Sequence, residues 1–204
     1  MVEFVHVPDP RRVFVIHGRN DTARHDMFAF LRSIGLWPIE WNEALDNTGS
    51  ASPYIGEILD TAFGMAQAVV VLMTPDEIAY LLPAHRNGDD DPEGAAKPQA
   101  RPNVLFEAGM AMGRDPKRTV LVELGSVRPF SDVAGRHAVR LNNTPEKRKD
   151  LAQRLRTAGC AVSLNGNDWL RAGDFSPPTV PDGQLGRRVP STSNVKRRHL
   201  GEFE

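Results

Sequence analysis

The chain of 204 residues has one cysteine, Cys160, and lacks any apolar run long enough to cross a bilayer. A lone cysteine cannot pair within the chain and fits a reducing compartment, so a cytoplasmic location is expected. A membrane-spanning helix needs about 18 or more uninterrupted apolar residues, so no membrane partner is expected. The opening segment MVEFVHVPDPRR lacks the ordering of a signal peptide. Charge of one sign is also missing: 25 Lys plus Arg stand against 26 Asp plus Glu, for a net charge of -1. Such a balance carries no nucleic-acid footprint. Arg187, Arg188, Lys196, Arg197 and Arg198 are interspersed with other residues and read as a solvated basic tail.

The short catalytic motifs are absent as well. The six histidines are scattered, with neither HExxH nor a Cys/His pairing at zinc spacing. Asp89-Asp90-Asp91 reads as part of a solvated acidic loop, so no metal is expected. No GxSxG, Walker GxxxxGK[ST] or GxGxxG occurs. The usual routes to a hydrolase, a nucleoside triphosphatase or a dinucleotide-binding oxidoreductase are closed, and no cofactor is expected.

What is present is a globular composition, 40% hydrophobic and 25% charged. The length suits one domain with some excess. Val13 to Ile16, Leu36 to Trp41, Ala68 to Met73, Arg118 to Leu124 and Ala138 to Leu141 read as strands. Asp21 to Ser33, a segment opened by Pro53, Pro102 to Gly113 and Glu146 to Ala158 carry helical spacing. Asn42 to Ser52 reads as loop and residues 84–100 as a flexible surface loop. The expected division is an N-terminal extension at 1–11, a domain at 12–172 and a Pro/Gly/Ser-rich, poorly ordered tail at 173–204. Strands alternating with helices predict an α/β three-layer fold, flavodoxin-like, with a five-stranded parallel sheet in the order 2-1-3-4-5.

Ligands of such sheets bind outside the carboxyl ends of the strands. His17-Gly18-Arg19-Asn20, Thr74-Pro75-Asp76 and Gly125 to Asp132 fall on that edge. The first is either a phosphate site, built from backbone N–H groups and a guanidinium, or a plain turn. A response-regulator receiver is rejected, because strand one ends in His17-Gly18 without acidic residues. The most informative segment is Arg101 to Gly113, almost wholly apolar or small with a single carboxylate, Glu107. At 3.6 residues per turn Asn103, Glu107 and Met110 share one face, and Val104, Ala108 and Met112 another. Glu107 either pairs with Arg101 or Arg114 or projects into a cleft. Trp41 and Phe106 are candidates for stacking on a base, while Trp37 and Trp169 look structural.

VFVIHGRND, FLRSIGLWPIEW, GSASPYIGEILD, VVVLMTPDE, ARPNVLFEAGMAMGR and RPFSDVAGR occur in this order. Together they resemble the TIR-like domains of bacterial nucleotide-binding proteins, the kind found in cyclic-oligonucleotide antiphage systems. The resemblance runs from about Arg12 to Ala158. It implies a TIR fold with NAD+ nucleosidase activity, releasing nicotinamide and ADP-ribose or a cyclic form. NAD+ is then a substrate rather than a cofactor. The glutamate of the NVxFE motif, here Glu107, becomes the catalytic residue. The family's Pro-Ser-Asp element matches Ser131-Asp132, although Phe130 stands where proline is usual; Asp132 is implied in the active site beside Ser131. His17, Gly18, Arg19, Asn20, Trp41, Asn103 and Phe106 are the expected substrate contacts. The start of the helix is expected to favour the ionised form of Glu107.

The resemblance also implies an effector of antiphage defence activated by a nucleotide signal or by self-association. The partners expected are NAD+, further copies of the chain and a cyclic-nucleotide sensor domain or protein. A neighbouring copy is expected to complete the site near Asn42 to Ser52. The alternative is a non-catalytic TIR-like module for self-association or nucleotide-signal binding.

Overall fold

Six consecutive apolar residues can be buried on both faces only at the centre of a covered sheet. Ala68 to Met73 lies there, every residue of it buried. The computed structural model describes residues 7–128 and 137–180. Its strands are β1 (Arg12–His17), β2 (Trp37–Ile39), β3 (Ala68–Met73), β4 (Glu77–Ala79), β5 (Lys97–Gln99), β6 (Thr119–Leu124) and β7 (Val139–Leu141). The helices are α1 (Asp21–Ser33), α2 (Trp41–Asn47), α3 (Ile55–Met65), α4 (Pro102–Arg114) and α5 (Pro145–Thr157). The main sheet runs β2-β1-β3-β6-β7, parallel throughout. Counting only its own strands, this is the expected flavodoxin-like order 2-1-3-4-5. None of the described helices is long and apolar enough to cross a membrane.

The two-residue period of the strands divides the interior in two. Val13, Val15, Val70, Leu72, Val120 and Val122 meet α1 and α5. Phe14, Ile16, Val69, Val71 and Leu121 meet α3 and α4 on the opposite face. Helix ends are set by local chemistry. The Asn20 side chain, rather than Asp21 or Thr22, caps α1 by accepting the Ala23 N–H. Gly35, at φ +80°, closes that helix: its N–H donates to the Arg32 carbonyl and the Leu36 N–H to the Leu31 carbonyl.

Three segments differ from the sequence reading. Trp41–Asn47 is a helix, not loop. Only Ala44 in it is buried, so seven residues rich in Asn and Asp leave no apolar period to detect. The segment read as residues 84–100 is entered by a one-turn helix, Pro83–His85, and contains another, Pro92–Gly94, and β5. β5 pairs antiparallel with β4, Pro98 lying opposite Ile78, and Ala96 and Ala100 are buried. Asp91 in the acidic run accepts the Asn87 and Glu93 N–H groups, which makes it a turn-forming residue.

The third difference concerns the tail. Phe175, placed there by its Pro/Ser-rich surroundings, is wholly buried and meets Phe30 edge-on at 5.7 Å. Beside it Arg148 is only 2% exposed. Its guanidinium donates to the carbonyls of Ala172 and Gly173, both at 2.6 Å. It also donates to Trp169 O at 3.3 Å and Asn143 Oδ1 at 2.9 Å. A buried cation is tolerable when most of its donors are satisfied; here both terminal nitrogens are, Nε having no partner, and the side chain clamps residues 169–175 onto α5. At the other end the Pro10 and Arg11 carbonyls accept the N–H groups of Ala161 and Trp37. The folded body therefore reaches past both expected limits.

Removing the clamp leaves several carbonyls without partners, and removing Phe175 opens a cavity. Arg148→Ala and Phe175→Ala should each destabilise the domain by about 3 kcal/mol. That corresponds to a fall in Tm of about 6–12 °C, readable by calorimetry, whereas a true tail would show no change.

Candidate functional site

A cleft of about 450 Å³ opens at the carboxyl ends of β1 and β2, bounded by the starts of α1 and α2 and by one side chain of α4. His17, Asp21, Arg24, Glu40, Trp41 and Glu107 supply its polar and aromatic walls, over a floor that includes Phe14 and Ile39. The place is dictated by topology. The connections from β1 leave toward β2 on one side and β3 returns on the other, so the edge parts at this point.

Glu107 reaches the cleft because α4 turns Val104, Ala108 and Ala111 into the core. Ala111, with Met112 only partly buried, completes the inward face. Both arginines that might have paired with Glu107 are engaged elsewhere. Arg101 pairs with Glu77 of β4 at 3.2 Å and Arg114 with Asp60 of α3. Burial therefore acts on the Glu107 carboxyl with little opposition and raises its pKa above the ordinary 4.5, the field of Arg101 lowering it less. This corrects the expectation from the helix dipole. Glu107 is the sixth residue of α4, beyond the first turn in which the dipole acts strongly.

His17 ends β1. Its Nδ1 lies 3.0 Å from the Gly18 carbonyl, which can only accept, so Nδ1 carries the proton and Nε2 is the acceptor of the neutral ring. Burial lowers its pKa below 6.5, more than the Gly18 hydrogen bond raises it. The ring is accordingly neutral at pH 7. Arg24 is held by carboxylates on both sides, Asp21 at 3.4 Å and Glu40 at 3.6 Å. Trp41 opens α2 and is 41% exposed, its indole forming part of the wall.

The remaining expected site residues are placed differently. The Arg19 N–H donates to Asp76 Oδ2 at 3.0 Å, the Asp21 N–H to the Arg19 carbonyl, and the Ala23 N–H to Asn20. These backbone donors are thus taken, and the loop has the hydrogen bonding of a turn rather than of a phosphate cradle. A Cβ at Gly18 would collide with the Asp76 carboxylate, which explains the glycine. Phe106 is 70% exposed, neither stacked in the cleft nor part of the core. Asn103 is exposed too, and neither residue lines the cleft. Ser131 and Asp132 lie outside the described residues. Sequence reasoning gave no site role to Asp21, Arg24, Glu40 or, beyond setting it on the carboxyl edge, Asp76. The last accepts the Thr74 hydroxyl at 2.8 Å as well as the Arg19 N–H, joining the loops that follow β1 and β3. Their only sequence signal was nearness to the carboxyl edge.

A parallel sheet of this order with helices on both faces is the flavodoxin-like architecture of TIR domains. The chain belongs to the CAP12/Pycsar effector protein TIR-domain family, whose model matches residues 12–143. It is 29% identical over 166 residues to the uncharacterized protein YuaY of Escherichia coli strain K12, covering 78% of this chain and 51% of that protein. It is also 29% identical over 110 residues to protein tirC of Dictyostelium discoideum, covering 54% of this chain and 50% of that one. The chain spans about half the length of these curated relatives.

The raised pKa of Glu107 has a consequence for stability. The folded chain holds this proton more tightly than the unfolded chain, so its ionisation opposes folding. The penalty is absent below the unfolded value near 4.5 and complete above the folded one. Glu107→Gln should therefore raise Tm at pH 7 and lose that advantage below about pH 4. Chemical and thermal melts at both pH values read the difference.

Proposed function

We propose that the chain is an NAD+ nucleosidase, breaking the bond between nicotinamide and ribose. The observation that carries this reading is the half-buried Glu107 carboxylate, without an ion pair among the described residues, facing a cleft large enough for a nicotinamide ribosyl group. Membership of the TIR-domain family agrees with it.

The chemistry asks little of the protein. As the bond from C1′ to the ring nitrogen breaks, its electron pair returns to a ring that was cationic, and nicotinamide leaves neutral. No general acid is needed. Positive charge develops on the ribose as an oxocarbenium ion, and a fixed carboxylate beside it stabilises that charge most where water is excluded. Glu107 is half-buried on the wall of the cleft. Water then adds to C1′ and gives up a proton, yielding ADP-ribose; attack by a nucleophile of the same molecule yields a cyclic product. Neutral His17 can accept a hydrogen bond from a ribose hydroxyl through Nε2, and Trp41 offers a flat face to the departing ring. Asp132 enters this proposal by the family motif alone.

Placed in a cell, the reading is of an antiphage effector held idle until copies gather or a nucleotide signal arrives. Its specific activity should rise with protein concentration, tracked by nicotinamide release; a constant value from dilute to concentrated samples would count against activation by assembly. Glu107→Gln should lower kcat by about 100-fold or more with an unchanged fold. The acid limb of the wild-type rate profile should have its midpoint above 4.5, because protonation removes the stabilising charge. If the Gln variant turned over NAD+ as fast as the wild type under conditions where the wild type is active, the enzymatic reading would fail.

A further inference from the structure

Two hydrogen bonds meet on one peptide group beside the cleft. The Arg19 N–H donates to Asp76 Oδ2 at 3.0 Å, and the carbonyl of the same peptide, that of Gly18, lies 3.0 Å from His17 Nδ1. A trans peptide is planar, with its N–H and C=O pointing in opposite directions. Fixing the N–H on a carboxylate therefore fixes where the carbonyl points. A charged acceptor on the N–H also polarises the peptide and makes its oxygen a stronger acceptor for the ring. The carboxylate is itself held, its other oxygen accepting the hydroxyl of Thr74 at 2.8 Å, a residue only 2% exposed just beyond β3. Gly18 is fitted to this contact: a Cβ there would overlap Asp76 Oδ2, although its backbone has no positive φ that would call for glycine.

Resting on the nucleosidase reading for its kinetic consequence alone, we propose that Asp76 is a positioning residue, which through the Gly18–Arg19 peptide holds the His17 ring as its Nδ1–H tautomer and so leaves Nε2 without a proton. Free neutral histidine favours the other tautomer, in which Nε2 carries the proton and cannot accept a hydrogen bond from a ribose hydroxyl. That hydroxyl becomes more acidic as positive charge grows on the sugar, so its bond to Nε2 is stronger in the transition state than in the bound ground state. His17 lines the cleft and Asp76 does not. The carboxylate therefore acts from behind the ring, joining a loop after β3 to a loop after β1.

The tautomer can be read without turnover. In the full chain labelled with 15N histidine, long-range proton–nitrogen NMR above about pH 7, where the rings are neutral, distinguishes the two forms, and His17→Gln assigns the resonance among the six histidines. Wild-type His17 should be in the Nδ1–H form. Asp76→Ala should move the population toward Nε2–H, whereas Asp76→Asn, whose amide oxygen can still accept the Arg19 N–H, should retain Nδ1–H. Gly18→Ala displaces the carboxylate while keeping Asp76; it should shift the ring as Asp76→Ala does, and it serves in place of that variant if the latter does not fold. In NAD+ turnover Asp76→Ala should lower kcat by about ten-fold with KM changed by less than about three-fold, and Asp76→Asn should restore most of the loss. In a His17→Ala background Asp76→Ala should cost nothing further. A wild-type ring protonated at Nε2, a tautomer unmoved in both Asp76→Ala and Gly18→Ala, or an equal loss of kcat in the presence and absence of His17 would overturn the proposal and leave the nucleosidase reading intact. The expected tautomer shift, with no cleavage of NAD+ by the wild type, would remove that reading and leave the positioning role standing.

Discussion

The carboxylate of Glu107 owes its character to where its neighbours' charges have gone. Arg101 is drawn to β4 by Glu77, Arg114 to α3 by Asp60, and Arg24 is shared between Asp21 and Glu40. Had either flanking arginine turned inward, the glutamate would be an ordinary interior ion pair, electrostatically quenched and chemically idle. The small antiparallel pair β4-β5, which looks incidental to the sheet, supplies the Glu77 that removes one of these cations. The architecture thus maintains a half-buried acid group whose pKa burial raises, the property on which the proposed nucleosidase chemistry rests.

The sheet was legible because its signal is collective. Val69-Val70-Val71 can be placed nowhere but the centre, and the alternation of Val13 and Val15 with Phe14 and Ile16 follows from a strand covered on both faces. Helices α1, α4 and α5 were legible by spacing, each with several inward residues and a recognisable end. What escaped was short or depended on distant partners. α2 shows one buried residue, and β5 is three residues with a proline in the middle. Phe175 sits among Asp, Ser and Pro, and only the buried Arg148, far off in sequence, explains why it is inside.

The site divides along the same line. Glu107 stood out as the lone acid in an apolar helix, and His17 and Trp41 by their places at strand ends. Phe106 was drawn in by adjacency to Glu107, yet neighbours in a helix point about 100° apart; Asn103 shares the Glu107 face but sits a turn earlier, at the start of α4, and both are exposed. Asp21, Arg24 and Glu40 look in isolation like solvated helix and loop charges. Their meaning lies in Arg24 of α1 meeting Glu40 after β2 on one wall of the cleft, a relation between elements that no local pattern records.

One wall of that cleft is lightly fastened. Trp41 rides on α2, which is anchored by Ala44 in the core and by the ion pair of Glu43 with Arg12, while the sheet behind it is buried on both sides. Local opening draws first on elements with few interior contacts. On warming, the aromatic side of the cleft is therefore positioned to fray ahead of the main unfolding transition, so that ligand affinity fades while the ellipticity of the domain still reads as native.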